Sequence, residues 1–146
     1  MSDNLLRIGE VARRAGVTTR TLRYYQEVGL LSPNTTPGGT RVYSEDDVER
    51  LRRILELRDL MGLDLERIRS ILGAEDRLAE LRAEARRGPS PRRYREIVSE
   101  AIEINARMQA DVNAKLGQLQ GFLAELKAKA HRYREIEAEH AGHSRA

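Results

Sequence analysis

The 146-residue chain contains no cysteine and no tryptophan, and only one phenylalanine, Phe122. Without thiols there can be no disulfide, thiolate metal site, iron–sulfur cluster or cysteine nucleophile. The first thirty residues have no signal-type apolar run, and no stretch reaches the ~18 apolar residues of a membrane span, so a cytoplasmic protein without a membrane partner is expected. Lysine occurs only at 115, 127 and 129, and histidine only at 131, 140 and 143. Hydrophobic residues are 40% of the chain and charged ones 34%. That is lean for one large core and suits a small domain joined to long, solvent-washed helices.

Acidic residues are also scarce where it matters. Up to Ser44 there are six arginines (Arg7, Arg13, Arg14, Arg20, Arg23, Arg41) against Asp3, Glu10 and Glu27. The rest of the chain balances, so the formal net charge of +3 resides in this first segment. A basic excess on one small unit is the footprint of a nucleic-acid binder.

The apolar spacing in that segment predicts two short helices. Ile8, Val11, Ala12 and Ala15 mark the buried face of the first, which runs to Ala15. Gly16 supplies the turn, Val17 a buried turn residue and Thr18 the N-cap of a second helix over Thr19 to about Val28, with Leu22 and Tyr25 inward. A small residue, a turn glycine and then an aliphatic at these intervals is the spacing of a helix-turn-helix. Pro33 stops continuation, Thr36 to Thr40 is turn chemistry, and Arg41-Val42-Tyr43 reads as a returning strand. Ser44 and Asp47 form a capping-box pattern at the head of a third helix, with Val48, Leu51, Ile54 and Leu55 inward as far as Gly62. A shorter helix from Asp64 would bury Leu65, Ile68, Ile71 and Leu72 and end before Gly73.

Residues 75–91 read as a connector, charged and helix-prone from Glu75 to Arg87 with Leu78 and Leu81 as anchors, and broken at Arg86 to Pro91. Beyond it one helix is expected over 92–139, about 70 Å long at ~1.5 Å per residue. Its seam runs Tyr94, Ile97, Ala101, Ile104, Met108, Val112, Leu116, Leu119, Leu123, Leu126, Ala130, Tyr133. The steps of three and four mark a coiled coil, with a stutter between Met108 and Leu116 where local unwinding is expected. Such a stripe needs a partner, most simply the same helix of a second chain. Ile97, Ile104, Met108, Val112, Leu116, Leu119, Leu123 and Leu126 are the dimerisation candidates. Gly117 and Gly121 are either tolerated surface glycines or a place of close approach or bend. A flexible tail is expected over 140–146.

Thr18, Thr19, Arg20, Arg23 and Tyr24 cluster toward the N-terminal half of the second helix, and Arg41 and Tyr43 lie on the hairpin. Arginine can hold phosphate or fork onto guanine, hydroxyls can bond phosphate, and a helix N-terminus attracts it. A helix and a hairpin that both carry Arg and Tyr form a double-stranded DNA reader. No nucleophile–base pair or phosphate-binding glycine loop can be assembled, so an enzyme is not expected. The competing classes are an architectural or phage-type DNA binder, and a coiled-coil interaction protein with an incidental basic end.

The motifs IGEVARRAGV, TLRYY, GLL, GGTRVYSEDDVERL and LMGLDLERIRSIL, in this order over residues 6–72, resemble the DNA-binding domain of the MerR family of bacterial transcription regulators. The resemblance implies an all-α fold with a small β-wing: a winged helix-turn-helix domain over 1–74, followed by an antiparallel coiled-coil dimerisation helix. It puts Arg23 and Tyr24 on the recognition helix, with Arg41 and Tyr43 clamping phosphate from the wing. It further implies a homodimer on promoter DNA, a partnership with RNA polymerase, and control by kinking and untwisting the duplex. Many members carry an aromatic before the wing arginine where this chain has Thr40. The wing is similar to those of heat-shock-repressor-like members, so repression stands beside activation. Family sensors that hold mercury, copper, zinc or an iron–sulfur cluster use cysteines, so no cofactor is carried over. A histidine metal site at His131, His140 and His143 is the lesser alternative. The effector is not identified, and a small apolar pocket between the long helix and residues 75–91 is left open.

Overall fold

Side-chain caps decide where the helices begin. Thr18 Oγ1 accepts from the Thr21 amide at 3.1 Å, Asp64 Oδ1 from Arg67 at 2.9 Å and Ser90 Oγ from Arg93 at 3.1 Å. Ser44 and Asp47 form the full reciprocal capping box, with amide bonds of 2.8 and 3.2 Å. Each cap satisfies amides that would otherwise lack partners, a contribution of about 1 kcal/mol apiece. The computed structural model describes residues 5–143. Its elements are α1 (Ile8–Ala15), α2 (Thr19–Glu27), β1 (Asn34–Thr35), β2 (Arg41–Val42), α3 (Glu45–Leu55), α4 (Leu65–Arg86) and α5 (Pro91–His143).

The chain divides into two compact units between Asp76 and Arg77. In the first, α1 ends at Gly16, whose φ of 72° is the left-handed conformation that only glycine adopts cheaply. α1 packs on α2 and α3. Strands β1 and β2 pair antiparallel, Asn34 with Val42 and Thr35 with Arg41. An isolated bridge ties Leu6 to Tyr43 beside them. Leu22, Val48, Leu51 and Ile54 have no exposed surface and sit at the centre of the core. Burying each such side chain stabilises the fold by roughly 1.5–3 kcal/mol.

Several boundaries differ from the sequence expectation. α3 does not run on as an α-helix to Gly62: Glu56–Leu60 is a π-helical turn, closed by the Met61 amide on Glu56 O at 3.3 Å. The wider turn brings Leu57 into the core, whereas Leu55 is only half-buried. Ile8, Ala15, Val17 and Leu65, expected inside, are likewise half-buried.

Gly73 does not end a helix. α4 continues through it to Arg86, so residues 75–86 are helix and the break shrinks to 87–90. Glycine weakens a helix by ~1 kcal/mol but does not stop one whose hydrogen bonding continues on both sides over 22 residues.

In the second unit, Arg77 pairs with Glu100 at 2.7 Å and Arg93 with Glu84 at 2.6 Å, joining the end of α4 to α5. Leu81, Ile97 and Ile104 are buried there. α5 has 53 residues, about 80 Å of helix. It is α-helical throughout, without unwinding at the stutter, because a stutter changes how paired helices wind and not one helix's own hydrogen bonds. Residues 140–143 of the expected tail are helical, and 144–146 lie outside the described residues. A Cβ added at Gly117 or Gly121 would meet no atom within 4 Å, so no other part of the chain approaches them.

Candidate nucleic-acid interface

In the first unit, ion pairing separates two populations of arginine. On α3 and the π turn, Arg50 is 3.0 Å from Asp76, Arg52 2.6 Å from Glu49, Arg53 2.5 Å from Glu75 and Arg58 2.6 Å from Asp59. Arg14 of α1 holds Glu45 by two bonds of 2.8 and 2.9 Å. This pairing raises the Arg14 pKa and lowers that of Glu45. Among the described residues, the side chains of Arg7, Arg13, Arg20 and Arg23 make no hydrogen bond or ion pair. These four sit on α1, α2 and the segment just before them.

On α2 the site is built from alternating exposed and anchored side chains. Thr18 spends its hydroxyl on the helix cap and a 3.0 Å contact with Thr21, and Thr19 is half-buried. Arg20, Arg23 and Tyr24 are exposed. Tyr24 leans on buried Tyr25 with ring centroids 5.6 Å apart. The Tyr25 hydroxyl accepts from Arg58 at 2.9 Å. Beyond the helix, Arg69 donates to Val28 O at 2.6 Å and Arg50 to Leu30 O at 2.7 Å. These two bonds satisfy carbonyls at the C-terminal side of α2 and hold it from α3 and α4.

The hairpin is tied to α2 through Gln26. Its amide nitrogen donates to the Tyr43 hydroxyl, and its amide oxygen accepts from Arg41 at 2.5 Å. Arg41 remains exposed. Tyr43 requires a correction: expected as a phosphate clamp, it is 1% exposed, a core side chain whose pKa is raised by burial. Val42 of β2 is buried, and Tyr43, just past the strand, is drawn inside by its bridge to Leu6, leaving Arg41 as the hairpin's outward cation.

The sequence expectation did not single out Gln26, Arg50, Arg58 or Arg69 as positioning side chains, nor Arg7 and Arg13 as unpaired cations. The crowding of arginine around α1 was legible. Which of them lack a carboxylate depends on contacts 20 to 40 residues away.

Of the dimerisation candidates, Ile97 and Ile104 need correction, since both are buried within the single chain. Met108 is half-buried. Val112, Leu116, Leu119, Leu123 and Leu126 are exposed, between 38% and 53%. His131 pairs with Glu135 at 3.2 Å, and His143 Nδ1 lies 2.7 Å from Glu139 O. Among the described residues no group of three His, Asp or Glu could hold a metal, and no helix is long and apolar enough to cross a membrane.

The profile of the MerR HTH family regulatory proteins matches residues 6–75. The HTH-type transcriptional regulator YfmP of Bacillus subtilis is 33% identical over 132 residues, covering 87% of this chain and 94% of that protein. The putative heat shock protein HspR of Streptomyces coelicolor is 40% identical over 78 residues, 53% of this chain and 52% of its own. Among solved structures, a putative MerR family transcriptional regulator from Listeria monocytogenes aligns with a TM-score of 0.54 at 20% identity, covering 97% of this chain and 99% of that one. HiNmlR, a MerR family regulator lacking the sensor domain and bound to promoter DNA, aligns with a TM-score of 0.50 at 21% identity, covering 92% and 89%. At these identities the two structures bear on the fold alone.

Proposed function

The chain belongs to the MerR family and is a DNA-binding transcription regulator, and from that premise we propose that it works in the cytoplasm as a homodimer that grips promoter DNA and changes the duplex's twist or bend. α2 enters the major groove with Arg20, Arg23 and Tyr24, Thr18 and Thr19 sit at its phosphate-facing N-terminus, and Arg41 holds the backbone from the hairpin. Arg7 and Arg13 add backbone contacts beside them. α5 joins the two copies, and RNA polymerase on the same promoter is the partner whose access the deformation controls.

One observation supports this reading above the others: among the described residues Arg13, Arg20 and Arg23 of α1 and α2 have no carboxylate partner, while all three arginines of α3 are paired with carboxylates within the fold. Paired arginines neutralise themselves; unpaired ones release counterions when they meet phosphate. The test is a promoter footprint combined with transcription in vitro. The expected result is protection between or over the promoter elements, a changed transcript level, and loss of both in Arg23→Ala and Arg41→Ala. Binding that ignores both substitutions would overturn it.

A further inference from the structure

Glu27 follows Arg20 by seven residues, which at about 100° per residue is two helical turns less about 20°. Arg20, Arg23, Tyr24 and Glu27 therefore share one face of α2, away from buried Leu22 and Tyr25, and all four are exposed. Around the helix axis Glu27 falls between Arg20 and Arg23, and it is the only acid in α2. Among the described residues its side chain makes no hydrogen bond or ion pair. A cation is at hand, since Glu27 and Arg41 line the same hollow of about 290 Å³ between α2 and the hairpin. Arg41 donates to Gln26 instead, at 2.5 Å. An acid at the centre of a cationic face is thus left unneutralised beside an arginine.

Against phosphate such a carboxylate only repels. In the major groove the groups able to donate to it are the exocyclic amines of cytosine and adenine. Cytosine N4 offers a donor with no acceptor on the same base edge, whereas adenine N6 lies beside the N7 acceptor, which repels the second carboxylate oxygen. Resting on the reading above of α2 as the helix that enters the groove, we propose that Glu27 is a specificity-determining residue that accepts a hydrogen bond from cytosine N4 in each half-site. α2 rises about 10 Å from Arg20 to Glu27, roughly three base-pair steps of the duplex. The cytosine accordingly lies within about three base pairs of the contact made by Arg20.

The same carboxylate acts against wrong sequences. Opposite guanine O6 and N7 or thymine O4 it meets acceptors, and it is left desolvated without a donor. Arg20, Arg23 and Arg41 draw the protein onto any duplex, while Glu27 penalises every duplex that lacks cytosine at its position. Discrimination between sequences needs both an attractive and a rejecting element, and α2 carries the two on one face.

Selection of bound duplexes from a randomised pool by the full-length protein, repeated with Glu27→Gln and Glu27→Ala, tests this. The wild type is expected to enrich one cytosine per half-site at a position where any other base weakens binding roughly tenfold. Glu27→Gln presents an amide that pairs with adenine N6 and N7, so that single position should change from cytosine to adenine. Glu27→Ala should accept all four bases there while the rest of the selected site stays the same. Helicity by circular dichroism should be unchanged in both variants, because the side chain is exposed and has no partner in the fold. Tighter binding of Glu27→Ala to every duplex, with an unaltered selected sequence, would overturn the proposal by making the carboxylate a plain repulsive charge. Loss of preference at all positions together in Glu27→Gln would overturn it too, leaving Glu27 a residue that only positions α2. A wild-type chain that enriches no sequence at all would remove the DNA-reading premise itself, a different failure from a selected site that ignores Glu27.

Discussion

Gln26 accepts a hydrogen bond from Arg41 at 2.5 Å while donating to the hydroxyl of Tyr43, so one amide spans the gap between α2 and the hairpin. An amide is suited to this place because it donates on one side and accepts on the other. A carboxylate would accept from Arg41 but neutralise it, and an apolar side chain would release both partners. The hairpin has only two residues per strand, too little pairing to hold its orientation alone.

Gln26→Leu should therefore lower operator affinity several-fold while leaving the melting temperature within a few degrees. Tyr43→Phe should share the affinity loss, because it removes the same hydrogen bond without emptying the core. Tyr43→Ala is different: losing a fully buried ring should cost about 3–5 kcal/mol of stability. Chemical denaturation alongside filter binding separates the two effects. Equal destabilisation by Tyr43→Phe and Tyr43→Ala would contradict this account of Gln26.

Salt dependence should sort the arginines. Substituting Arg20, Arg23 or Arg41 with alanine is expected to reduce the slope of log affinity against log salt by about one per lost phosphate contact. Arg52→Ala removes a side chain already 2.6 Å from Glu49 and should leave the slope unchanged. Titrations between low and moderate salt measure this directly, and a slope change at Arg52 equal to that at Arg23 would refute the sorting.

Two glycines should respond in opposite directions to alanine. Gly73 lies inside α4 with open space around its Cβ direction, so Gly73→Ala should stabilise the protein by roughly 0.5–1 kcal/mol. Gly16 has a φ of 72°, so Gly16→Ala should destabilise it by about 1 kcal/mol. Thermal melts of both variants suffice. Stabilisation at both positions would show that the turn does not need its left-handed residue.

Acid should loosen the second unit through Glu84 and Glu100. Hydrogen bonds from Arg93 and Arg77 hold these carboxyls below the ordinary value of 4.5. A carboxyl depressed in the folded state contributes stability above its unfolded pKa, and that contribution is lost as pH falls through the folded value. Both pairs are solvent-accessible, so the effect is small and screened by salt. Melting temperatures from pH 7 to 3 should fall less steeply in Glu84→Gln/Glu100→Gln than in the wild type. Parallel curves would show that the pairs contribute nothing to folding.

Most of the first unit could be read from local chemistry. Caps at Thr18, Ser44 and Asp64, the turn at Gly16 and the helical spacing of Val11, Ala12, Leu22 and Tyr25 each act within about four residues. The errors arose where distance along the chain mattered. Gly73 reads as the end of a helix, yet Arg50–Asp76 and Arg53–Glu75 anchor the stretch of α4 just beyond it from α3. Tyr43 read as a surface hydroxyl because Arg41 precedes it by two, but the Leu6 bridge and Gln26 draw it inside.

Amino-acid order was enough to specify the helices, their caps, the hairpin turn and the charge imbalance, since each depends on neighbours a few residues away. Only the folded chain decided that Arg14, Arg50 and Arg53 are spent on carboxylates, because their partners Glu45, Asp76 and Glu75 come from other helices. It also decided which row of α5 stays open: periodicity marks an apolar stripe, but the burial of Ile97 and Ile104 within the same chain determines which edge of that stripe is left.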